Sequence, residues 1–128
     1  MKEKSDALII RTRAFAKSVI QLCQRATDSD ACNTQTEQLI DAATSVAANY
    51  RAACRARSKK EFIAKMGLVV EEVDESYGWL TLLVETSCLQ QQEAGAVIQE
   101  ADELTRIFVA SYRTAQRNYK IAQLQKRR

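Results

Sequence analysis

Asn49-Tyr-Arg-Ala-Ala-Cys-Arg-Ala-Arg-Ser-Lys-Lys-Glu-Phe62, followed twelve residues later by Asp74-Glu-Ser-Tyr-Gly-Trp79, decides the fold of this chain. The stretch reads as the basic end of one helix, a restart, and the body of the next. Ser58 and Glu61 have the spacing of a capping box. In that motif the Ser hydroxyl oxygen accepts from the backbone N–H three residues on, and the Glu carboxylate accepts from the N–H of the cap residue. A helix therefore opens at Ser58, just after a cluster of Arg and Lys.

Working outward, apolar residues recur at three-to-four-residue spacing in four segments. The first spans about 5–26, with Leu8, Phe15, Val19, Leu22 and Ala26 on one stripe. Thr27-Asp-Ser-Asp30 breaks it, because these side chains compete for backbone hydrogen bonds. The second spans about 34–55 and carries Leu39, Ala43, Val46, Tyr50 and Cys54, with Thr34 and Glu37 read as its capping box. The third, 58–86, buries Phe62, Met66, Val69, Val73, Leu80 and Leu83 or Val84. Gly78 inside it costs about 1 kcal/mol against Ala, so a close helix contact is expected there. The fourth, 88–122, has Ser87 and Gln90 as a weaker cap and carries Val97, Ala101, Leu104, Phe108, Tyr112, Ala115 and Ala122. Its end is expected to fray into Lys126-Arg-Arg128. Short connections make sequential helices antiparallel neighbours. The expectation is one all-α domain over 1–128, an up-down-up-down four-helix bundle.

Composition agrees. The 128 residues include no Pro and three Gly, which supplies little turn chemistry and favours long helices. The net charge of +3 is mild, and its distribution says more than its sum. No acid follows Glu103, whereas Arg106, Arg113, Arg117, Lys120, Lys126, Arg127 and Arg128 do. Acids gather instead at Glu71, Glu72, Asp74 and Glu75. Four cysteines (Cys23, Cys32, Cys54, Cys88) form no C-x-x-C pair, and no apolar signal segment precedes them. They are read as reduced, structural thiols of a cytoplasmic protein. Cys54, flanked by Arg51 and Arg55, is read as buried and inert on the apolar stripe. No stretch approaches the roughly 20 apolar residues of a membrane span.

Catalysis has poor materials. The chain has no His, so the commonest general base is missing and a Ser-His-Asp or Cys-His arrangement cannot form. Glu72-x-x-Glu75 and Glu100-x-x-Glu103 have the spacing of di-iron bundle ligands but lack the imidazole. A solvated acidic face is the better reading, so no metal, cofactor or enzymatic activity is expected. Glu75 is a candidate for pairing with an Arg between helices or subunits.

The functional candidate is a basic face. At 100° per residue, Arg106, Arg113, Arg117 and Lys120 fall within about one sixth of the helix circumference, opposite Leu104, Phe108, Tyr112 and Ala115. Such a stripe can neutralise phosphates without reading sequence. The competing reading is a solubilising face on a protein-interaction scaffold. A second cluster holds Arg51, Arg55, Arg57, Lys59 and Lys60, and its cations also suit the negative end of the second helix. Ile9, Ile20, Ile40, Ile63, Leu68, Trp79 and Leu82 lie off the apolar stripes, more than a monomer needs, so self-association is expected with Tyr77 and Trp79 as anchors.

Several of these motifs are familiar together. Ser45-Val-Ala-Ala-Asn49, Arg57-Ser-Lys-Lys-Glu-Phe-Ile63, Glu72-Val-Asp-Glu-Ser76, Trp79-Leu80 and Glu100-Ala-Asp-Glu-Leu104 make the chain resemble the bacterial 23S rRNA intervening-sequence proteins over nearly its whole length. Many members carry Ser-Ile-Pro-x-Asn-Ile-Ala-Glu-Gly, and the Pro, Glu and Gly are replaced here by Ala47, Ala52 and Ala53. The resemblance implies a four-helix bundle assembled as a ring, typically a homopentamer, with no enzymatic activity attached. More remotely it is similar to accessory proteins of diversity-generating retroelements, basic pentameric bundles that work with nucleic acid. Ser45 and Asn49 match the family's polar pair and are read as interhelical hydrogen-bonding positions. RNA or DNA, a partner protein and further copies of the chain are the partners to consider.

Overall fold

The computed structural model describes residues 2–127, which form four helices joined by short connections. They are α1 (Lys2–Cys23), α2 (Asp30–Cys54), α3 (Lys59–Glu85) and α4 (Gln91–Lys126). Each helix packs on its sequence neighbours, and α1 closes the square against α4 through the lightest of the four contacts. The α1–α2 and α3–α4 connections meet at one end, where the Thr27 amide donates to the Cys88 carbonyl at 3.0 Å. The α2–α3 connection turns at the other end. This is the up-down-up-down, all-α bundle that the periodicity predicts. No helix among the described residues is long and apolar enough to cross a membrane.

One contiguous core draws on all four helices, with Phe15, Val19, Leu39, Val46, Met66, Val73, Leu80, Leu104 and Phe108 at its centre. Within it Tyr50 and Phe108 pack as tilted rings with centroids 5.1 Å apart. Three buried hydroxyls add no unpaired polar group, since Thr12 donates to the Leu8 carbonyl and Ser76 to the Glu72 carbonyl, both at 2.8 Å, and Thr36 to the Asn33 carbonyl at 3.0 Å.

Helix boundaries depart from the expectation at several places, and α1 runs over Lys2–Cys23 where 5–26 is expected. Thr34 is not a cap. It sits a turn inside α2, donating to the Asp30 carbonyl at 2.9 Å, and the cap is Ser29, which accepts from the Cys32 amide. Ser87 does not open α4 but terminates α3. It takes the left-handed conformation (φ 62°), with its amide on the Val84 carbonyl and the Cys88 amide on the Leu83 carbonyl. That is a Schellman stop with Ser where Gly is usual. Finally, α4 runs over Gln91–Lys126 where 88–122 is expected, so it starts later and continues well past its last buried residue, Phe108.

Two further readings are corrected. Cys32 and Cys88 are joined by a disulfide between the start of α2 and the connection before α4. The four thiols are therefore not all reduced, and the cytoplasmic reading loses that support. The close approach expected at Gly78 occurs at Gly67 instead. A Cβ at Gly67 would lie 3.2 Å from the Tyr112 hydroxyl, whereas one at Gly78 would meet nothing within 4 Å.

Candidate binding surfaces

The cationic residues of the second half of α4 occupy a helix that has largely left the core. Tyr112, over Gly67, is the last α4 residue packed on the core cluster. Arg113, Arg117 and Lys120 lie beyond it, and all three are exposed. Arg106, six residues before Tyr112, is paired within the helix to Asp102 at 3.1 Å. Arg117 donates to the Thr114 hydroxyl at 3.4 Å and has no acidic partner among the described residues. Leu124, 53% exposed, follows Arg106 by eighteen residues, five helical turns, so it continues the same line. Ile121 beside it is 48% exposed. Counting only charges missed this apolar end of the stripe, although its 3.6-residue spacing was legible.

Arg51 and Arg55 do not join that surface. Arg51 lines a groove of about 510 Å³ between α1 and α2, together with Arg13 and Lys17. Arg55 lines a separate hollow of about 720 Å³ at the α2–α3 corner, with Lys2, Arg57 and Lys59 around Phe62. Cys54 opens into this hollow and is exposed, not buried as the apolar spacing suggests. The α2 stripe ends one residue earlier, at the buried Ala53. The six cations singled out from sequence thus fall on three surfaces.

The corner itself is built as its capping residues require. The Ser58 hydroxyl accepts from the Glu61 amide at 3.1 Å, and the Glu61 carboxylate accepts from the Arg57 amide at 3.1 Å, one residue before the cap. Asn49 donates to the Ser45 carbonyl of its own helix at 2.9 Å, so this polar pair bonds along α2 and not across to another helix. Glu75 accepts from the Trp79 indole N–H at 3.2 Å, which orients a half-buried aromatic on the side of α3. Tyr77 is 37% exposed on the opposite flank.

Titration behaviour singles out no reactive group. Burial pushes the Tyr50 hydroxyl up to about 12, and the Cys23 thiol up to about 11. Both stay protonated near neutral pH. Burial, then Glu75, Glu71 and Asp41, raises the Glu72 carboxyl above its usual range. Among the described residues no three His, Cys, Asp or Glu side chains gather where they could hold a metal ion. Glu100 and Glu103 are engaged by Arg11 from α1.

A family model for 23S rRNA-intervening sequence proteins matches residues 7–110. The chain belongs to the 23S rRNA-intervening sequence protein family. The match takes in all of α2 and α3 and most of α1, but it stops in α4 before Arg113, so the distal cations lie outside it. A crystal structure of a protein of unknown function from the S23 ribosomal protein family of Bacteroides thetaiotaomicron superposes with a TM-score of 0.74. It is 22% identical over 86% of this chain and 98% of its own, a likeness that speaks to fold. No curated protein matches the chain.

Proposed function

We propose that this family member is a non-enzymatic, homo-oligomeric helical bundle that engages RNA or DNA backbones through the outward face of α4. The carrying observation is that Arg113, Arg117 and Lys120 lie within one narrow sector of a helix segment with no acid after Glu103. Without carboxylate partners among the described residues, such a stripe releases counterions when it meets phosphates, and the affinity should be steeply salt-dependent. Arg106 contributes less, being paired with Asp102. Arg51 and Arg55 open onto other faces and are not needed for the contact. Self-association is supported by Ile10, Ile20, Leu68, Tyr77 and Leu82, all more than a third exposed. A ring of five is what the family resemblance suggests.

A second reading, a scaffold that docks a protein on α4, is favoured by the exposure of Leu124 in line with the cations and of Ile121 beside it. Fluorescence anisotropy of labelled RNA and DNA across a salt series separates the two. The reading expects binding at low salt that weakens steeply and disappears in Arg113→Glu/Arg117→Glu/Lys120→Glu. Its log–log slope, divided by about 0.7 for single strands or 0.9 for duplex, counts the phosphates contacted. Absence of binding at low salt would leave the scaffold.

A further inference from the structure

Two surfaces of this molecule are apolar and opposite in charge, and the fold holds them apart. The first is the α1–α2 groove, floored by Ala16, Ala47 and Ala48 between Ile9 and Ile20. Its charged lining residues are all basic, namely Arg13, Lys17 and Arg51. The second is the outward stripe of α3: Leu68, Glu71, Glu75, Gly78, Leu82 and Glu85, spaced by three or four and opposite the buried Met66, Val69, Val73 and Leu80. Leu68 and Leu82 are each 40% exposed. The segment from Leu68 to Glu85 contains five acids (Glu71, Glu72, Asp74, Glu75, Glu85) and no basic residue.

Gly78 adds an independent sign of a close neighbour. Glycine in a helix interior costs about 1 kcal/mol against Ala, and no contact within the chain requires it, since an added Cβ would meet nothing within 4 Å. A backbone approaching from outside would. The lengths are comparable, the stripe being the longer. Leu68 to Leu82 spans about 21 Å of helix, and Ile9 to Ile20 about 16 Å, at 1.5 Å per residue.

α3 packs on α2 and α4 but not on α1, so the stripe is turned away from the groove of its own chain. A second copy can supply what the first cannot. We infer that the acidic, apolar face of α3 in one copy seats in the basic-rimmed α1–α2 groove of the next. The inference rests on the oligomeric reading above and gives it a polarity: each copy donates one surface and receives the other. Such a head-to-tail contact closes into a ring or runs on as a filament, according to the rotation per step. Either way the outward face of α4 takes no part in it.

The test uses two doubly substituted chains, Arg13→Glu/Ala48→Trp to block the groove and Glu71→Arg/Leu82→Arg to disable the stripe. All four positions are exposed in the protomer, and circular dichroism checks that both fold. Light scattering after size exclusion should find the unmodified chain assembled and each variant monomeric. An equimolar mixture should give a 1:1 dimer that grows no further, because only one intact groove and one intact stripe remain. If the unmodified chain assembles but the variants do too, or the mixture stays monomeric, this contact is wrong while oligomerisation stands. A monomeric unmodified chain at high micromolar concentration would overturn both. Lys17→Glu and Glu71→Lys give the same readout if either double variant fails to fold.

Discussion

Arg11 holds Glu100 by both carboxylate oxygens, Nε at 2.8 Å and Nη2 at 2.6 Å, and so clamps α1 to α4 across the weakest seam of the bundle. Nη2 also reaches Glu103 at 2.8 Å. Bidentate pairing fixes direction as well as charge, and hydrogen bonding to Glu100 holds the guanidinium more firmly protonated than usual. Arg11 and Glu100 keep about a third of their side-chain surface exposed, so screening limits the gain. A double-mutant cycle of Arg11→Gln and Glu100→Gln should give a coupling of about 1 kcal/mol by urea unfolding, falling with added salt. Arg11→Lys should recover only part of it, because an ammonium cannot form the fork. A coupling near zero would mean that apolar packing alone holds the seam.

The disulfide and the two free thiols make an ordered prediction about chemistry. Cys54 is exposed, Cys23 half-buried, and Cys32–Cys88 closes a loop of 56 residues. Under native, non-reducing conditions a maleimide should label Cys54 promptly. Cys23 should react slowly, because burial raises its thiol to about 11 and leaves little thiolate. Denaturant alone should expose two thiols, and denaturant with reductant four, as counted by mass spectrometry. On the chain-entropy view, reduction should cost about 4 kcal/mol of stability. Four reactive thiols before any reductant would show the bridge absent.

Tyr112 sits over Gly67 so closely that a methyl group there would need the ring to give by a few tenths of an ångström. Gly67→Ala would gain up to about 1 kcal/mol in helix propensity. It would also press a Cβ to 3.2 Å from the Tyr112 hydroxyl, and the ring would have to move. The two effects should nearly cancel in the single variant. Removing the hydroxyl in Tyr112→Phe frees the space, so Gly67→Ala in that background should be stabilising by about 1 kcal/mol in thermal or urea unfolding. Equal effects in both backgrounds would show that the ring yields at no cost.

Much of this architecture was legible in order. Phe15, Val19 and Leu22, or Val69, Val73 and Leu80, announce a helix and its buried face together, because one spacing encodes both. Ser58 was legible as a cap because its partner Glu61 is local. Thr34–Glu37 shows the limit of the same signal. Ser29 five residues earlier offers an equivalent oxygen, and which of them caps depends on where the disulfide and the Thr27–Cys88 bond hold the chain. Ser87 misled for a related reason, since a hydroxyl residue between two helices can end one or begin the other. The helical faces of Arg51 and Arg55 follow from the sequence, but their opening into separate hollows depends on how α1 and α3 lie across α2.

Glu72 should make stability depend on pH in the direction opposite to most paired carboxylates. Partial burial, with Glu75, Glu71 and Asp41 nearby, raises its carboxyl in the folded protein. The folded state therefore holds this proton more tightly than the unfolded chain, whose Glu titrates near about 4.3. Between those two values the folded form carries more protons, so stability falls as pH rises. Above the raised value the penalty is constant, and below the unfolded value it is gone. Glu72→Gln should consequently melt higher than the unmodified chain at pH 7, by roughly the 0.5 kcal/mol typical of surface positions. The difference should shrink to nothing as pH drops below about 4. Calorimetry of both chains from acid to neutral pH reads it directly. A difference that stays constant through that range would locate the effect in packing and not in the charge.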